Sequence, residues 1–385
     1  MNRENGYAYD LLCATIVLAT LGMIMIFSAT QVISREQFGT PYYFIKHELI
    51  HLALGVIILY ICMKVPYRVY RSVAVWGIII GVISLVSVLL WGIEIRGARR
   101  WLRVFNFTIQ PVEFVKYSLI IFTADIIARS RGSVRKLKED FLPVFAVSVI
   151  IAVLLVLQPN ISNATLIFGI TFILLYLARC RLTHLALSYG TLFVVAVPYL
   201  YIQPHVRNRI TGMLNSGEYL LTQNWHVRQS LISLGSGFIY GCGPGRGHQK
   251  YRFLPDAHTD FIYSIVGEEL GLIGTLLVLG IIMFIFYKAI IISRDAPDAF
   301  SRYLALGIGL TIMLTALVNI AMTTGLIPTV GLPLPFVSYG GTSLLTSMAA
   351  VGILLNISSA GKNRRRSETV SRARRPVFAR KKERS

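Results

Sequence analysis

Long apolar runs separated by short polar joints make up most of this chain. Ten can be marked, at residues 9–30, 49–65, 72–93, 111–128, 141–157, 161–178, 185–203, 261–287, 303–325 and 343–359. About 20 apolar residues suffice to cross a bilayer, and a helix satisfies its own backbone polar groups there. The pattern predicts an all-α polytopic membrane protein: ten transmembrane helices with a long extracytoplasmic loop between helices 7 and 8. Residues 1–361 form the membrane domain, with the large loop at 204–260. Residues 362–385 form a basic tail without predicted structure.

Ten crossings place both termini on one side. The joints on that side carry Lys64, Arg68 and Arg71; Arg129, Arg131, Arg135, Lys136 and Lys138; Arg179 and Arg181; Arg294 and Arg302. By the positive-inside rule this face is cytoplasmic, so both termini are expected in the cytoplasm.

Composition agrees, with 55% hydrophobic and 15% charged residues. The net charge of +20 raises the question of nucleic acid, but about half of the excess lies in the tail from Lys362 onward. A basic segment directly after a membrane helix is first a topology signal that can touch anionic lipid. Nucleic acid is therefore not among the expected partners. The four cysteines, Cys13, Cys62, Cys180 and Cys242, have neither disulfide-framework nor metal-site spacing.

One outer joint breaks the charge rule, because Arg96, Arg99, Arg100 and Arg103 surround Trp101 on the face opposite the basic loops. Two readings stand: a tolerated breach with Trp101 as an interfacial anchor, or a site where guanidinium forks meet phosphate oxygens. The next helix opens Gln110-Pro111-Val112-Glu113-Phe114-Val115-Lys116, with proline at a favoured first position. Glu113 and Lys116, three apart, share a face. They either neutralise each other or present Lys116 to an anionic substrate. The joint Gln158-Pro159-Asn160-Ile161-Ser162-Asn163 is too polar to face lipid and predicts a cavity-lining link. The prolines of Gly325–Thr342 predict a re-entrant element facing the same cavity. At the end of the large loop, Asp256, His258 and Asp260 reach the membrane edge, and Glu268 and Glu269 enter the apolar run. Ionisable groups so placed mark function. Asp260 is predicted in the first helical turn, with Glu268 about 80° round from it on an ideal helix and Glu269 roughly opposite.

Taken together, Gly97-Ala98-Arg99-Arg100-Trp101, Gln110-Pro111-x-Glu113-x-x-Lys116, Gln158-Pro159, Gln229-Ser230, Gly235-Ser236-Gly237, Leu254-Pro255-Asp256-Ala257-His258-Thr259-Asp260-Phe261, Gly267-Glu268-Glu269-Leu270-Gly271 and Pro333-x-Pro335-x-x-Ser338-Tyr339-Gly340-Gly341 resemble the SEDS (shape, elongation, division and sporulation) family of bacterial cell-wall polymerases. The match covers nearly the whole chain, in the family's order, and is closest to the cell-division member, with the elongation member as runner-up and a sporulation homologue as a further alternative. The resemblance implies ten helices, cytoplasmic termini and a peptidoglycan glycosyltransferase that polymerises lipid II, the undecaprenyl-pyrophosphate disaccharide-peptide. It also implies a class B penicillin-binding protein transpeptidase as partner, with other divisome membrane proteins. Three positions depart from it: Asn160 where the family commonly has Asp, Asp256 for Glu, and His47 for an Arg at the start of the second helix.

On this resemblance Asp260 is the candidate catalytic base. Its plainer role would be a carboxylate that only stabilises a helix dipole. Arg99, Arg100, Trp101, Glu113, Lys116, His258, Glu268 and Ser338 are candidates for binding substrate, with His258 shaping the turn rather than reacting. The chemistry implies no metal site or certain cofactor. A divalent cation, Mg²⁺ or Mn²⁺, assisting the pyrophosphate is compatible with it, but no ligand cluster calls for one. The rival classes are a lipid II flippase and a non-catalytic division scaffold.

Overall fold

The computed structural model describes residues 3–95, 98–104, 107–203, 207, 225–247 and 257–374. Each of the ten apolar runs falls in a helix: α1 (Arg3–Phe38), α2 (Tyr43–Lys64), α4 (Ala74–Trp91), α5 (Pro111–Arg129), α6 (Leu142–Leu157), α7 (Ile161–Leu177), α8 (Leu182–Ile202), α10 (Ile262–Asp295), α11 (Ala299–Thr323) and α12 (Gly341–Arg374). A short α3 (Tyr67–Ser72) precedes α4, and α9 (Trp225–Ser236) lies within the large loop. Among the described residues, eight helices are long and apolar enough to cross a membrane. The other two are α7, apolar but 17 residues long, and α5, which carries Glu113, Lys116, Asp125 and Arg129. The last helix runs past Lys362, where the sequence predicts an unstructured tail, and reaches Arg374.

Burial accounts for the polarity of α5. It packs against α4, α11, α12, α6 and α7, so most of its surface meets protein and need not be apolar. Its charges are matched locally. Lys116 Nζ donates to Glu113 Oε1 at 2.8 Å, and the fully buried Asp125 takes Arg71 Nε at 2.8 Å and Arg129 Nη2 at 2.6 Å. At the end of the bundle that carries the basic joints, Asp298 caps α11 through the Ser301 amide at 2.9 Å and accepts the Tyr67 hydroxyl at 2.6 Å.

The arginine-rich joint is not an irregular loop. It forms an antiparallel meander of β1 (Ile93–Ile95), β2 (Ala98–Val104) and β3 (Phe107–Ile109). Trp101 is opposite Ile93, and Leu102 is opposite Ile109.

A second irregularity lies inside α10, where Gly271 adopts φ 68° and ψ −165°. A Cβ at this position would collide with the backbone of Ile239 and Gly241. The break exposes carbonyls before it and amides after it, and the glycine-rich loop after α9 satisfies both. Cys242 and Gly243 donate to the carbonyls of Glu268 and Glu269 at 2.9 and 3.0 Å. The amides of Leu272 and Ile273 donate to Phe238 and Ile239 at 2.9 and 3.3 Å. Broken helices persist at membrane depth only where such partners exist.

Candidate active site

The segment between α11 and α12 folds back into the bundle. Its Leu332, Leu334, Phe336 and Val337 are buried. A Cβ on Gly22 of α1 would stand 2.5 Å from the Phe336 carbonyl. Gly22 lies about 24 Å along α1 from its end at Phe38, at 1.5 Å per residue. The expected re-entrant element is therefore present, and protein shields its non-helical backbone.

Asp260 sits beside this element, but not in a helical turn as the sequence predicts. It belongs to a turn over Ala257–Phe261, and α10 begins at Ile262 with Phe261 as its N-cap. The 80° relation to Glu268 on one helix therefore does not hold. Two hydrogen bonds clamp the turn to the re-entrant element: Asn319 Nδ2 donates to the Asp260 carbonyl at 2.8 Å and to the Leu332 carbonyl at 2.7 Å. The Tyr339 amide donates to the His258 carbonyl at 2.8 Å, while the His258 ring packs against Phe44 and Tyr339. Phe261 stacks on His226 of α9 at 5.9 Å.

Arg100 approaches the same place from β2. Its guanidinium donates to the Pro159 carbonyl through Nη2 and to the Gln158 carbonyl through Nε at 3.4 Å. A side chain begun at Gly331 would start 3.5 Å from Arg100 Nη1 and 3.7 Å from Asp260 Oδ2. A guanidinium and a carboxylate thus meet at the bare backbone of Gly331. The joint that Arg100 grips is itself buried, as predicted for a cavity-lining link: Gln158 Nε2 reaches the Leu85 carbonyl at 2.8 Å, and Asn163 Nδ2 reaches Asn160 Oδ1 at 3.0 Å.

The remaining candidates have other surroundings. Arg99 extends outward to Glu94 at 3.5 Å, both half exposed. Trp101 is half buried on the meander. Glu113 and Lys116 form their predicted pair, buried in the first two turns of α5. Glu268 accepts from Ser233 Oγ of α9 at 3.2 Å, and Glu269 from Ser28 Oγ at 2.5 Å and the Gly245 amide at 2.9 Å. Glu268 therefore fastens α9, and Glu269 the loop that fills the α10 break. Ser338 closes its own turn, accepting from the Leu334 amide at 2.8 Å. Arg96, Gly97, Arg209, Gln249, Lys250, Tyr251, Leu254, Pro255 and Asp256 lie outside the described residues.

Sequence reasoning missed Asn319, whose only signal is a lone amide in the run Ala316-Leu317-Val318-Asn319-Ile320. It also missed the pair on α2, where His51 Nδ1 lies 3.2 Å from Glu48 Oε2 and the His51 ring lies against Gly341. Among the described residues no three His, Cys, Asp or Glu side chains converge to hold a metal.

Known proteins share this architecture. A family model described as cell cycle protein, covering FtsW, RodA and SpoVE, matches residues 9–363. A Trichlorobacter lovleyi protein named "Probable peptidoglycan glycosyltransferase FtsW" is 40% identical over 92% of this chain and 93% of its own. A Coxiella burnetii protein of the same name is 36% identical over 93% and 98%, and stage V sporulation protein E of Bacillus subtilis 34% over 90% and 96%. A chain from a peptidoglycan synthase complex superposes with a TM-score of 0.73 at 21% identity, covering 91% of this chain and 97% of that one. The rod shape determining protein RodA of Thermus thermophilus superposes at 0.67 and 21%, covering 91% and 96%. The chain is a multi-pass helical membrane protein, and it belongs to the FtsW/RodA/SpoVE family of cell cycle proteins.

Proposed function

We propose that this chain is a peptidoglycan glycosyltransferase that polymerises lipid II at the outer face of the bacterial cytoplasmic membrane during division. The observation that carries this reading is the meeting of Arg100 and Asp260 at Gly331. The activity and the division role rest on the relatives named FtsW. A class B penicillin-binding protein transpeptidase is the expected partner, which the likeness to a chain of a peptidoglycan synthase complex supports. Other divisome membrane proteins would join them.

Polymerisation needs the 4-hydroxyl of one substrate to attack the anomeric carbon of another as lipid pyrophosphate leaves. An α-linked donor giving a β-1,4 bond inverts that carbon, so a single displacement suffices. Asp260 accepts the proton of the attacking hydroxyl. Pyrophosphate needs little protonation, so the second requirement is positive charge where the leaving group departs. Arg100 supplies it, and Lys116 is the candidate for a deeper contact. Asn319 and Tyr339 position the turn that carries Asp260.

The test is the purified chain with its transpeptidase partner and lipid II, wild type against Asp260→Asn. Wild type is expected to make glycan strands and the variant none, at equal folding and partner binding. Strands of equal yield from both would remove Asp260 as base. Lipid II crossing liposomes without strands from either would favour a flippase. Intact partner binding with neither activity would favour a scaffold.

A further inference from the structure

The loop that fills the α10 break carries three consecutive apolar residues, Phe238, Ile239 and Tyr240, and it points two of them outward. Phe238 is 82% exposed and Tyr240 81%. In water such a pair would be an unusual liability, particularly as Phe238 also holds a left-handed φ of 46° that a non-glycine residue adopts at a cost. Its depth accounts for the display. The Phe238 and Ile239 carbonyls bond the Leu272 and Ile273 amides, so the loop lies level with the start of the lower part of α10. From Leu272 to Tyr287 that part holds no charged residue, and Lys288, paired with Asp10 at 2.6 Å, follows at once. Those sixteen positions span about 24 Å, less than the roughly 30 Å of bilayer hydrocarbon. With Lys288 at the inner boundary, Leu272 and Ile273 lie inside the outer one, and the loop beside them does too.

We propose that Phe238-Ile239-Tyr240 is a finger inserted into the outer leaflet, where it binds phospholipid, although the segment between α8 and α10 counts as extracytoplasmic. The finger continues the lipid-facing surface of α10, where Leu272, Ile273, Leu276 and Leu277 are all exposed. Aromatic side chains at this level match the interfacial belt of membrane proteins. The exposed Arg246, on the same loop, supplies a cation for a lipid phosphate at headgroup height. The occupant is therefore outer-leaflet glycerophospholipid, its acyl chains against the two rings and its phosphate near Arg246. The Cys242 and Gly243 amides that follow the finger donate to the Glu268 and Glu269 carbonyls and tie the leaflet to the half-helix that follows Asp260.

The test adds a fluorophore to the full chain in phospholipid nanodiscs, as Phe238→Trp and, separately, Tyr240→Trp. Two positions guard against one variant failing to fold. The difference spectrum against the unaltered chain isolates the added indole from the four native tryptophans. The expected result is blue-shifted emission that loses intensity when the lipids carry bromine on their acyl chains and resists aqueous iodide. Quenching by iodide but not by brominated lipid would put the finger in water and overturn the proposal. Resistance to both would mean that protein, a second copy or a neighbouring helix, covers it, which overturns the proposal equally.

Discussion

Arg100 grips the consecutive carbonyls of Gln158 and Pro159 with one guanidinium, and an unforked cation cannot. Arg100→Lys keeps the charge but loses the fork that spans the Gln158 and Pro159 carbonyls. Polymerisation is expected to fall on the order of 100-fold, the scale of a 1 Å misplacement, while thermal unfolding of the purified chain stays near wild type. Gly331→Leu leaves both charged groups in place but fills the space between them. It is expected to abolish strand formation in the same assay. The Glu113–Lys116 pair has two readings that one set of variants separates. Removing either partner alone strands a buried charge and is expected to cost about 3–5 kcal/mol in unfolding measurements. The double change Glu113→Gln with Lys116→Met is expected to recover most of that stability. If strand synthesis returns with it, the pair is only structural; if synthesis stays lost, Lys116 serves the substrate.

At the level of elements, the break in α10 and the cap of α11 respond differently to perturbation. Gly271→Ala forces a Cβ into the Ile239–Gly241 backbone at positive φ and is expected to destabilise by more than the ~1–3 kcal/mol of the strained backbone alone, read as a fall in Tm. Asp298→Ala removes the α11 cap and is expected to cost about 1 kcal/mol at neutral pH. Burial lifts the Asp298 carboxyl, but the Ser301 amide and the Tyr67 hydroxyl outweigh it and hold the group below its ordinary range. A lowered folded-state value stabilises above the ordinary Asp range and is lost as pH falls through that lowered value. The gap between Asp298→Ala and wild type should therefore close in strong acid. Helices were legible in the sequence because the hydrocarbon core demands long apolar runs, and every run lies in one. The meander was not, since arginines on β2 mask the alternation that betrays strands. Helix α9 escaped for a sharper reason: it buries Gln229, Ser230 and Ser233 and exposes Leu231 and Ile232, the reverse of what a pattern of apolar positions reports. Within the site, the charged candidates stood out as charges in an apolar setting, whereas Asn319 works through backbone carbonyls that no sequence pattern displays.

For the molecule as a whole, ten crossings with both termini in the cytoplasm remain the expected topology. A fluorescent-protein fusion after Ser385 is expected to glow, as it would not if the chain ended outside. The position of α5 has a consequence for how the protein is made. The helix at the centre of the finished bundle is the one least able to enter a bilayer by itself, since it carries Glu113, Lys116, Asp125 and Arg129 in 19 residues, and each Asp, Lys or Arg opposes insertion by up to about 2.5–3.5 kcal/mol at a helix centre and by less toward its ends. Its shelter includes α11, which begins about 170 residues later and leaves the ribosome roughly 10–35 s after it at typical synthesis rates. For that interval a nascent chain holds its central helix without its final neighbours, so insertion of α5 waits on the insertion machinery and on the second half of the chain. A chain ended at Arg135 is expected to leave α5 accessible to membrane-impermeant labels, and the full chain to protect it. The four charged residues of α5 therefore make the protein's assembly dependent on completing the chain.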